Sequence, residues 1–439
     1  MPDLRGGAPL TLANASIPRS LMDEAGSGEV GRYDLDIADG RIAAIRPAGT
    51  QPATGAVHDM DAGLILPCLV DIHTHLDKGH IWPRRENPHG TWMGALMAVL
   101  EDREARWVAE DVERRMDFAL RCAYAHGTAA VRTHLDSAPP QHAITWELFE
   151  TMRERWAGRI ELQAVSIFGP DDMLDPQALD VVARQVKSSR GILGGSVAEG
   201  PDARAAVFAV IEKAGDLGLD VDLHIDESLD PAAMSLRHLA DAVIETGFTG
   251  RALAGHCCSL AVQDEPVWHE TIERVVRARI SVVSLPICNI YLMDRDNQNG
   301  VVRTPRRRGV TLLNELRAAG VPVAIASDNT RDPFYAYGDL DMVEVFREAA
   351  RVLHFDHPQR SAWCWAATVA SGAAEIAGFD YAAQIAPGAP ADLILFRART
   401  WTELNARPQS DRIVLRAGRA IDTTPPDYRE LDDLMGMPA

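Results

Sequence analysis

The feature that most constrains the fold is a regular alternation along the middle of the chain. Apolar, β-rich segments are each followed by Ala/Leu/Arg/Glu-rich segments with helical spacing, for example 109–125, 203–217, 231–246 and 310–319. Eight such units favour a (β/α)8 barrel, which takes about 250 residues before insertions; a doubly wound sheet is the alternative. The predicted strands are 66–75, 129–136, 159–168, 191–197, 219–227, 251–257, 280–289 and 321–328.

Both ends of the chain contain short strands joined by glycine turns. The segment YDLDIADGRIAAIRPAG, residues 33–49, predicts a hairpin with an Asp-Gly turn. Residues 387–396 and 412–419 are again short strand segments. Each end is too small to bury a core alone. We therefore predict an α/β protein in which residues 1–65 and 385–439 form one composite β-sandwich domain and residues 66–384 form the inserted barrel.

Composition excludes several classes of partner. The 439 residues are 46% hydrophobic and 24% charged, and 44 Lys+Arg against 63 Asp+Glu give a net charge of −19. This charge argues against non-specific binding to nucleic acid or an anionic membrane. The chain lacks a signal-peptide pattern and an apolar run of about 18 residues, so we expect a cytoplasmic protein. Six cysteines without a CxxC pair are expected to be reduced.

Polar side chains recur where the predicted strands end. His73 and His75 are two residues apart, so in a strand both point the same way. A single histidine at such a place more often caps a helix or bonds a buried carbonyl. Several of them converging on one barrel mouth are harder to explain by packing. The later strand ends carry Arg132, His134 and Asp136, then His224 and Glu227, then His256, then Asn289, and finally Asp328 and Asn329.

This set of residues suits metal-dependent hydrolysis. The imidazoles of His73, His75 and His224 with the Asp328 carboxylate could hold one divalent ion, Zn2+ or Fe2+, and leave a position for water. Such an ion lowers the pKa of its water towards ~7. Asp328 can accept the water proton, Glu227 can act as general acid and base, and His256 can polarise the group under attack.

Several motifs resemble the amidohydrolase superfamily and, within it, the cytosine deaminase branch. They are LPCLVDIHTHLDK, AHGTAAVRTHLD, DLHIDE, GHCC, ASDNTRDPF and PGAPADLILF. The resemblance implies a mononuclear site with His73, His75, His224 and Asp328 as ligands, Glu227 as proton shuttle and His256 as catalytic histidine. It also implies a homo-oligomer. Residues 191–197 contain no lysine, so a carbamylated-lysine bimetal site is not supported. The unrelated zinc deaminase signature is absent as well.

Four positions depart from the cytosine deaminase pattern and are predicted to line the substrate pocket. Pro170 lies in the segment where those enzymes carry a glutamine that reads the pyrimidine edge. Asn329 replaces a second aspartate, as in similar enzymes that act on N-alkyl aminotriazines such as N-isopropylammelide. Trp92 stands where a smaller aliphatic residue is usual, and Phe334 replaces a pocket aromatic. Loss of a hydrogen-bonding partner makes a site reject its former substrate strongly. Simple packing of Trp92 in its loop is the alternative interpretation.

The sequence therefore predicts a metal-dependent hydrolytic deaminase. Its substrate would be a small nitrogen heterocycle with an amidine-like C–NH2 group, similar to cytosine or isocytosine, and its product ammonia. Hydrolysis of an N-alkyl aminotriazine or of a cyclic amide C–N bond by the same residues is the alternative reaction. A hypothesis of another class is that the barrel no longer catalyses and serves only as a binding module. The metal content of the purified protein would distinguish this module from an enzyme.

Overall fold

A computed structural model describes residues 4, 9–22, 29–295, 303–356 and 362–437, which form an α/β protein. The chain divides into two compact units: residues 1–71, 121–130 and 340–426, and residues 72–120, 131–339 and 427–439. The predicted domains, 1–65 with 385–439 and 66–384, stay a prediction. No helix within the described ranges is long and apolar enough to cross a membrane.

Strands and helices alternate through the middle of the chain. The strands are β1 Leu10–Pro18, β2 Val30–Ala38, β3 Arg41–Pro47, β4 Ala56–Asp59, β5 Ile65–Pro67, β6 Leu69–Thr74, β7 Thr128–Asp136, β8 Glu161–Ile167, β9 Leu193–Ser196, β10 Val221–Ile225, β11 Ala252–His256, β12 Ser281–Ser284, β13 Val323–Ile325, β14 Leu393–Leu395, β15 Ile413–Arg416 and β16 Arg419–Ala420. The α-helices are α1 Trp92–Arg106, α2 Ala109–His126, α3 Gln141–Trp156, α4 Pro170–Leu174, α5 Pro176–Ser188, α6 Ala203–Leu217, α7 Ser235–Thr246, α8 Glu265–Ala278, α9 Pro286–Leu292, α10 Leu313–Ala318, α11 Met342–Val352, α12 Ser371–Ala377, α13 Trp401–Ala406 and α14 Asp432–Met435.

Two four-stranded sheets contain the terminal strands, and the second of them combines strands from both ends of the chain. Their orders are β3-β2-β1-β4 and β16-β15-β14-β5. The predicted hairpin is confirmed: β2 pairs antiparallel with β3, and Asp39 and Gly40 between them have φ of 52° and 76°. Leu12, Leu393 and Leu415 belong to one hydrophobic cluster, so the two sheets share a core. The sandwich arrangement stays a prediction.

The predicted strands of the middle region each overlap an observed strand. β9 to β13 form a parallel sheet in the order β13-β12-β11-β10-β9, and β6, β7 and β8 form a second sheet. In parallel α/β sheets, ligands and catalytic groups gather beyond the carboxyl ends of the strands. The sheet topology therefore places the motif residues at the carboxyl ends of strands in both sheets.

Two predicted strands differ from the observed ones because of proline. The segment 66–75 is divided into β5 and β6, and Pro67 ends β5, the edge strand of its sheet, where a missing N–H is tolerated. The segment 280–289 is a strand only to Ser284. Pro286 then begins α9, because proline suits the first turn of a helix and cannot extend a strand ladder. Asn289 is therefore a helical residue, not a strand-end residue.

Gly194 in β9 lies where a larger residue has no room. A Cβ there would be 2.2 Å from the Asp222 carbonyl oxygen and 2.3 Å from Val165 Cγ1. We expect Gly194→Ala to lower the free energy of unfolding by about 1–3 kcal/mol, because overpacking forces strands apart. Gly169→Ala is the matched control, since no atom lies within 4 Å of its Cβ position. Equal melting temperatures for the two variants would contradict this expectation.

Candidate active site

Four ligand-type side chains meet at the carboxyl ends of β6, β10 and β13. His73 lies in β6 and His75 directly follows Thr74, its last residue, while His224 lies in β10. The His224 Nε2 atom is 3.2 Å from His73 Nε2 and 3.3 Å from His75 Nε2. Asp328 Oδ1 is 3.7 Å from His73 Nε2 and 3.2 Å from His75 Nε2. The four predicted ligands are thus brought together.

The donor atoms of the three histidines fit a single divalent ion. In a tetrahedral site with ligand bonds of about 2.0–2.1 Å, neighbouring donor atoms are separated by about 3.3–3.4 Å. Burial, followed by neighbouring positive charge, holds the pKa of His73, His75 and His224 well below the usual range. The imidazoles are therefore neutral, which is the form that binds metal. We conclude that the cluster can hold a metal ion.

Asp328 reaches the cluster through an unusual backbone conformation. Its φ is +66°, and its N–H donates to the His73 carbonyl oxygen over 2.8 Å. This bond ties the segment after β13 to β6. Gly255 in β11 leaves room for the His73 ring, since a Cβ there would be 2.9 Å from His73 Cε1. A side chain at the glycine of the GHCC motif would therefore crowd the His73 ring.

Glu227 lies just beyond the end of β10, three residues after His224. Its Oε2 accepts a 2.8 Å hydrogen bond from the indole nitrogen of Trp92, and its Oε1 is 3.4 Å from His256 Nδ1. Burial and the nearby Asp328 charge raise the pKa of Glu227 to about 8. A carboxyl group tuned in this way can carry a proton near neutral pH, as a general acid requires.

His256 ends β11 and is held by Asn289. The Asn289 side-chain nitrogen lies 3.1 Å from His256 Nδ1 and donates to it, which puts the proton of a neutral imidazole on Nε2. Burial lowers the pKa of His256 to about 3, so the ring is neutral. The sequence predicted that Asn289 lies at the end of a strand, and it indicated no hydrogen-bond partner for this residue. Its contact with His256 depends on the turn into α9.

A cavity of about 720 Å3 opens beside these groups. Trp92, Pro170, Asn329 and Phe334, the four predicted pocket residues, all line it together with Glu227, and so do His75, His224, His256 and Asp328. Their predicted roles in binding and catalysis stay predictions.

Three of the pocket residues, Asn329, Trp92 and Phe334, contact other side chains. The Asn329 side-chain nitrogen donates to Asp332 Oδ2 over 2.7 Å, so this amide is already engaged. The Trp92 and Phe334 rings meet edge to face, with centroids 6.0 Å apart. Lys78 Nζ lies 4.5 Å from the centroid of the Phe334 ring. Lys78, like these three residues, lines the cavity.

His134 is a neighbour of the cluster that the sequence did not assign to a role. It is fully buried, and its ring centroid lies 4.0 Å from that of His73. Neither of its ring nitrogens has a hydrogen-bond partner within the described part of the chain, although Asp222 Oδ1 is 3.9 Å from Nε2. The position of His134 in the second-strand motif THLD was the signal that could have linked it to His73.

Comparison with known proteins identifies the family. The profile of the amidohydrolase family matches residues 120–421. A pterin deaminase from Rhizobium rhizogenes is 53% identical over 432 residues, which cover 98% of this chain and 97% of the relative. An N-isopropylammelide isopropyl amidohydrolase from Pseudomonas sp. is 24% identical over 400 residues, covering 89% and 93%.

A solved structure shows the same fold. The 5-methylcytosine deaminase from Klebsiella pneumoniae, liganded with 5-fluorocytosine, has a TM-score of 0.80 and 24% identity, and the match covers 94% of this chain and 97% of that one. The chain belongs to the amidohydrolase family. It is a hydrolase that acts on carbon–nitrogen bonds, as the sequence predicted. The hypothesis of a non-catalytic binding module is therefore set aside.

Proposed function

We propose that this protein is a metal-dependent aminohydrolase that removes the exocyclic amino group of a pterin as ammonia. The observation that carries the proposal is a cavity of about 720 Å3 lined by Glu227 and by residues of the metal-ligand cluster. In that cluster His73, His75 and His224 lie together, and Asp328 is 3.7 and 3.2 Å from the first two. The substrate class is supported by the 53% identity to a pterin deaminase along nearly the whole of both chains. The pyrimidinone half of a pterin carries the same 2-amino-4-oxo edge as isocytosine.

The proposed catalytic fold is a closed (β/α)8 barrel. It is supported by two isolated parallel bridges, which join Thr74 to Asp328 and Val165 to Ile192. These bridges link the sheet of β6, β7 and β8 to the sheet of β9 to β13 at both of its edges. The carboxyl ends of the strands would then surround one mouth.

The reaction replaces the C–NH2 bond by C=O and consumes one water. A divalent ion held by the cluster, Zn2+ or Fe2+, would supply a water of lowered pKa. Asp328 accepts the proton of the attacking water. Glu227 gives its proton to the ring nitrogen beside the attacked carbon, then takes the proton of the added hydroxyl group and passes it to the departing amino group, which leaves as ammonia. The proton held by Asp328 returns to Glu227, so both carboxyl groups end as they began. The free Nε2–H of His256 donates to the oxygen that is being added.

A second candidate reaction is removal of an alkylamine from an N-alkyl aminotriazine. It is favoured by Asn329 in place of aspartate beside the ligand Asp328, and by the 24% identity to an N-isopropylammelide isopropyl amidohydrolase. The chemistry at Asp328 and Glu227 would be the same, since only the leaving nitrogen differs.

The test is product analysis with metal-replete protein. Pterin, isocytosine, cytosine and N-isopropylammelide are supplied in turn, and ammonia, isopropylamine and the oxo product are quantified. We expect one ammonia per 2,4-dioxo product from pterin, and a kcat/KM for cytosine at least about a hundredfold lower, because a mismatched hydrogen-bonding edge costs several kcal/mol. Isopropylamine release without pterin turnover would favour the second candidate. Turnover of none of these compounds would contradict both.

A further inference from the structure

We propose that Trp92 is a positioning residue for the proton shuttle, acting through its indole N–H on Glu227. The inference deepens the proposed function and rests on it for its kinetic test. The sequence predicted that Trp92 lines the substrate pocket, with simple packing in its loop as the alternative. The structure adds a directed polar contact: the indole nitrogen donates to Glu227 Oε2 over 2.8 Å.

Through this contact, Trp92 supplies a hydrogen-bond donor to one of the two carboxyl oxygens of Glu227, Oε2. The other oxygen, Oε1, is 3.4 Å from His256 Nδ1, a distance beyond a good hydrogen bond. The Glu227 side chain is 11% exposed, so water has limited access to replace a lost donor. Since a proton donor must stay within hydrogen-bond reach of its target, the orientation of this carboxyl group bears directly on the rate.

Trp92 is itself firmly held, as a positioning residue must be. It is the first residue of α1, and Thr91 caps that helix by accepting from the Gly94 N–H over 3.0 Å. The Asn87 side-chain nitrogen donates to the carbonyl oxygens of Thr91 and Pro333, at 2.9 and 3.2 Å. Asn87 thereby connects the start of α1 to the segment that carries Phe334.

The Phe334 ring completes this support by meeting the Trp92 ring edge to face. Side chains whose own positions are fixed by packing and hydrogen bonds hold a catalytic group better than mobile ones. The chain thus places a rigid donor against Glu227. Loss of the N–H would free the carboxyl group without removing any metal ligand.

The first experiment observes the hydrogen bond directly. Metal-replete protein is prepared with tryptophan isotopically labelled at the indole nitrogen, and the N–H signals are recorded by NMR. The chain has nine tryptophans, so the Trp92 signal is assigned by its absence in Trp92→Phe. We expect that signal to show slow solvent exchange in the wild type, and to shift upfield and exchange faster in Glu227→Ala. An unchanged Trp92 signal in Glu227→Ala would overturn the proposal.

The second experiment separates positioning from substrate contact. Trp92→Phe keeps an aromatic ring and removes the N–H. We expect kcat for pterin to fall about 10–100-fold, because a misplaced catalytic group can slow a reaction by about a hundredfold, with KM changed less than about twofold. Metal content is expected to stay the same, and the solvent deuterium isotope effect on kcat is expected to rise as proton transfer becomes slower. Met97→Leu, on the same helix and 48% exposed, is the control and is expected to match the wild type.

The outcomes distinguish this inference from the proposed function. A raised KM with unchanged kcat in Trp92→Phe would show that Trp92 is only a binding surface. A loss of metal or of thermal stability equal to the loss of activity would show a purely structural role. If the wild type releases no ammonia from any pterin, the proposed function fails, and the NMR comparison alone then decides the role of Trp92.

Discussion

Replacing Glu227 with glutamine is expected to lower kcat by about 10²–10⁴-fold, the usual contribution of a general acid or base, while the metal content stays unchanged. Glutamine has nearly the same shape and can keep the Trp92 hydrogen bond through its carbonyl oxygen, but it cannot carry the transferred proton. Steady-state kinetics with pterin and metal analysis of the same preparation provide the measurement. Glu212→Gln, at an exposed position of α6, is the control and is expected to behave as the wild type.

The metal analysis decides between two roles for Glu227. A preparation that loses metal and activity together would show that Glu227 is a ligand, and the assignment as proton shuttle would be wrong. Intact metal with full activity would mean that another group transfers the proton.

Replacing His224 with alanine is expected to abolish both metal binding and turnover. The variant would keep His73, His75 and Asp328, but it would lose the donor atom that lies 3.2 and 3.3 Å from the other two imidazoles. We expect metal content below about one tenth of an ion per chain and activity below about one hundredth of the wild type, since the site would lose one of the imidazole ligands on which it depends.

Chelation provides the companion test. Wild-type protein treated with a chelator is expected to lose activity and to regain it when Zn2+ or Fe2+ is added back, whereas His224→Ala is expected not to recover. The ion that restores more activity indicates the metal that the site uses. His269→Ala is the control, because this histidine is 58% exposed and lies on α8 away from the cluster. Full activity of the chelated wild type would contradict metal dependence.

Much of the candidate site could be predicted from local patterns. The His73-x-His75 pair follows an apolar strand, and strand geometry directs both rings to one side. The alternation of strands and helices predicted that the ends of β6, β10, β11 and β13 would meet, which the structure bears out for His73, His224, His256 and Asp328. The hairpin around Asp39 and Gly40 was predictable because its turn requires positive φ at both residues.

Other features depended on contacts between residues far apart in the chain. Trp92 and Glu227 are separated by 135 positions, and nothing near either residue indicates that the indole N–H donates to that carboxyl group. The same holds for His134 against His73 and for Asn289 against His256. Periodicity and turn residues report local backbone preference and burial, so they locate strands, helices and strand ends. Which side chains then meet across the cavity is decided by the packing of whole elements, including the early end of β12 at Ser284 and the positive φ of Asp328.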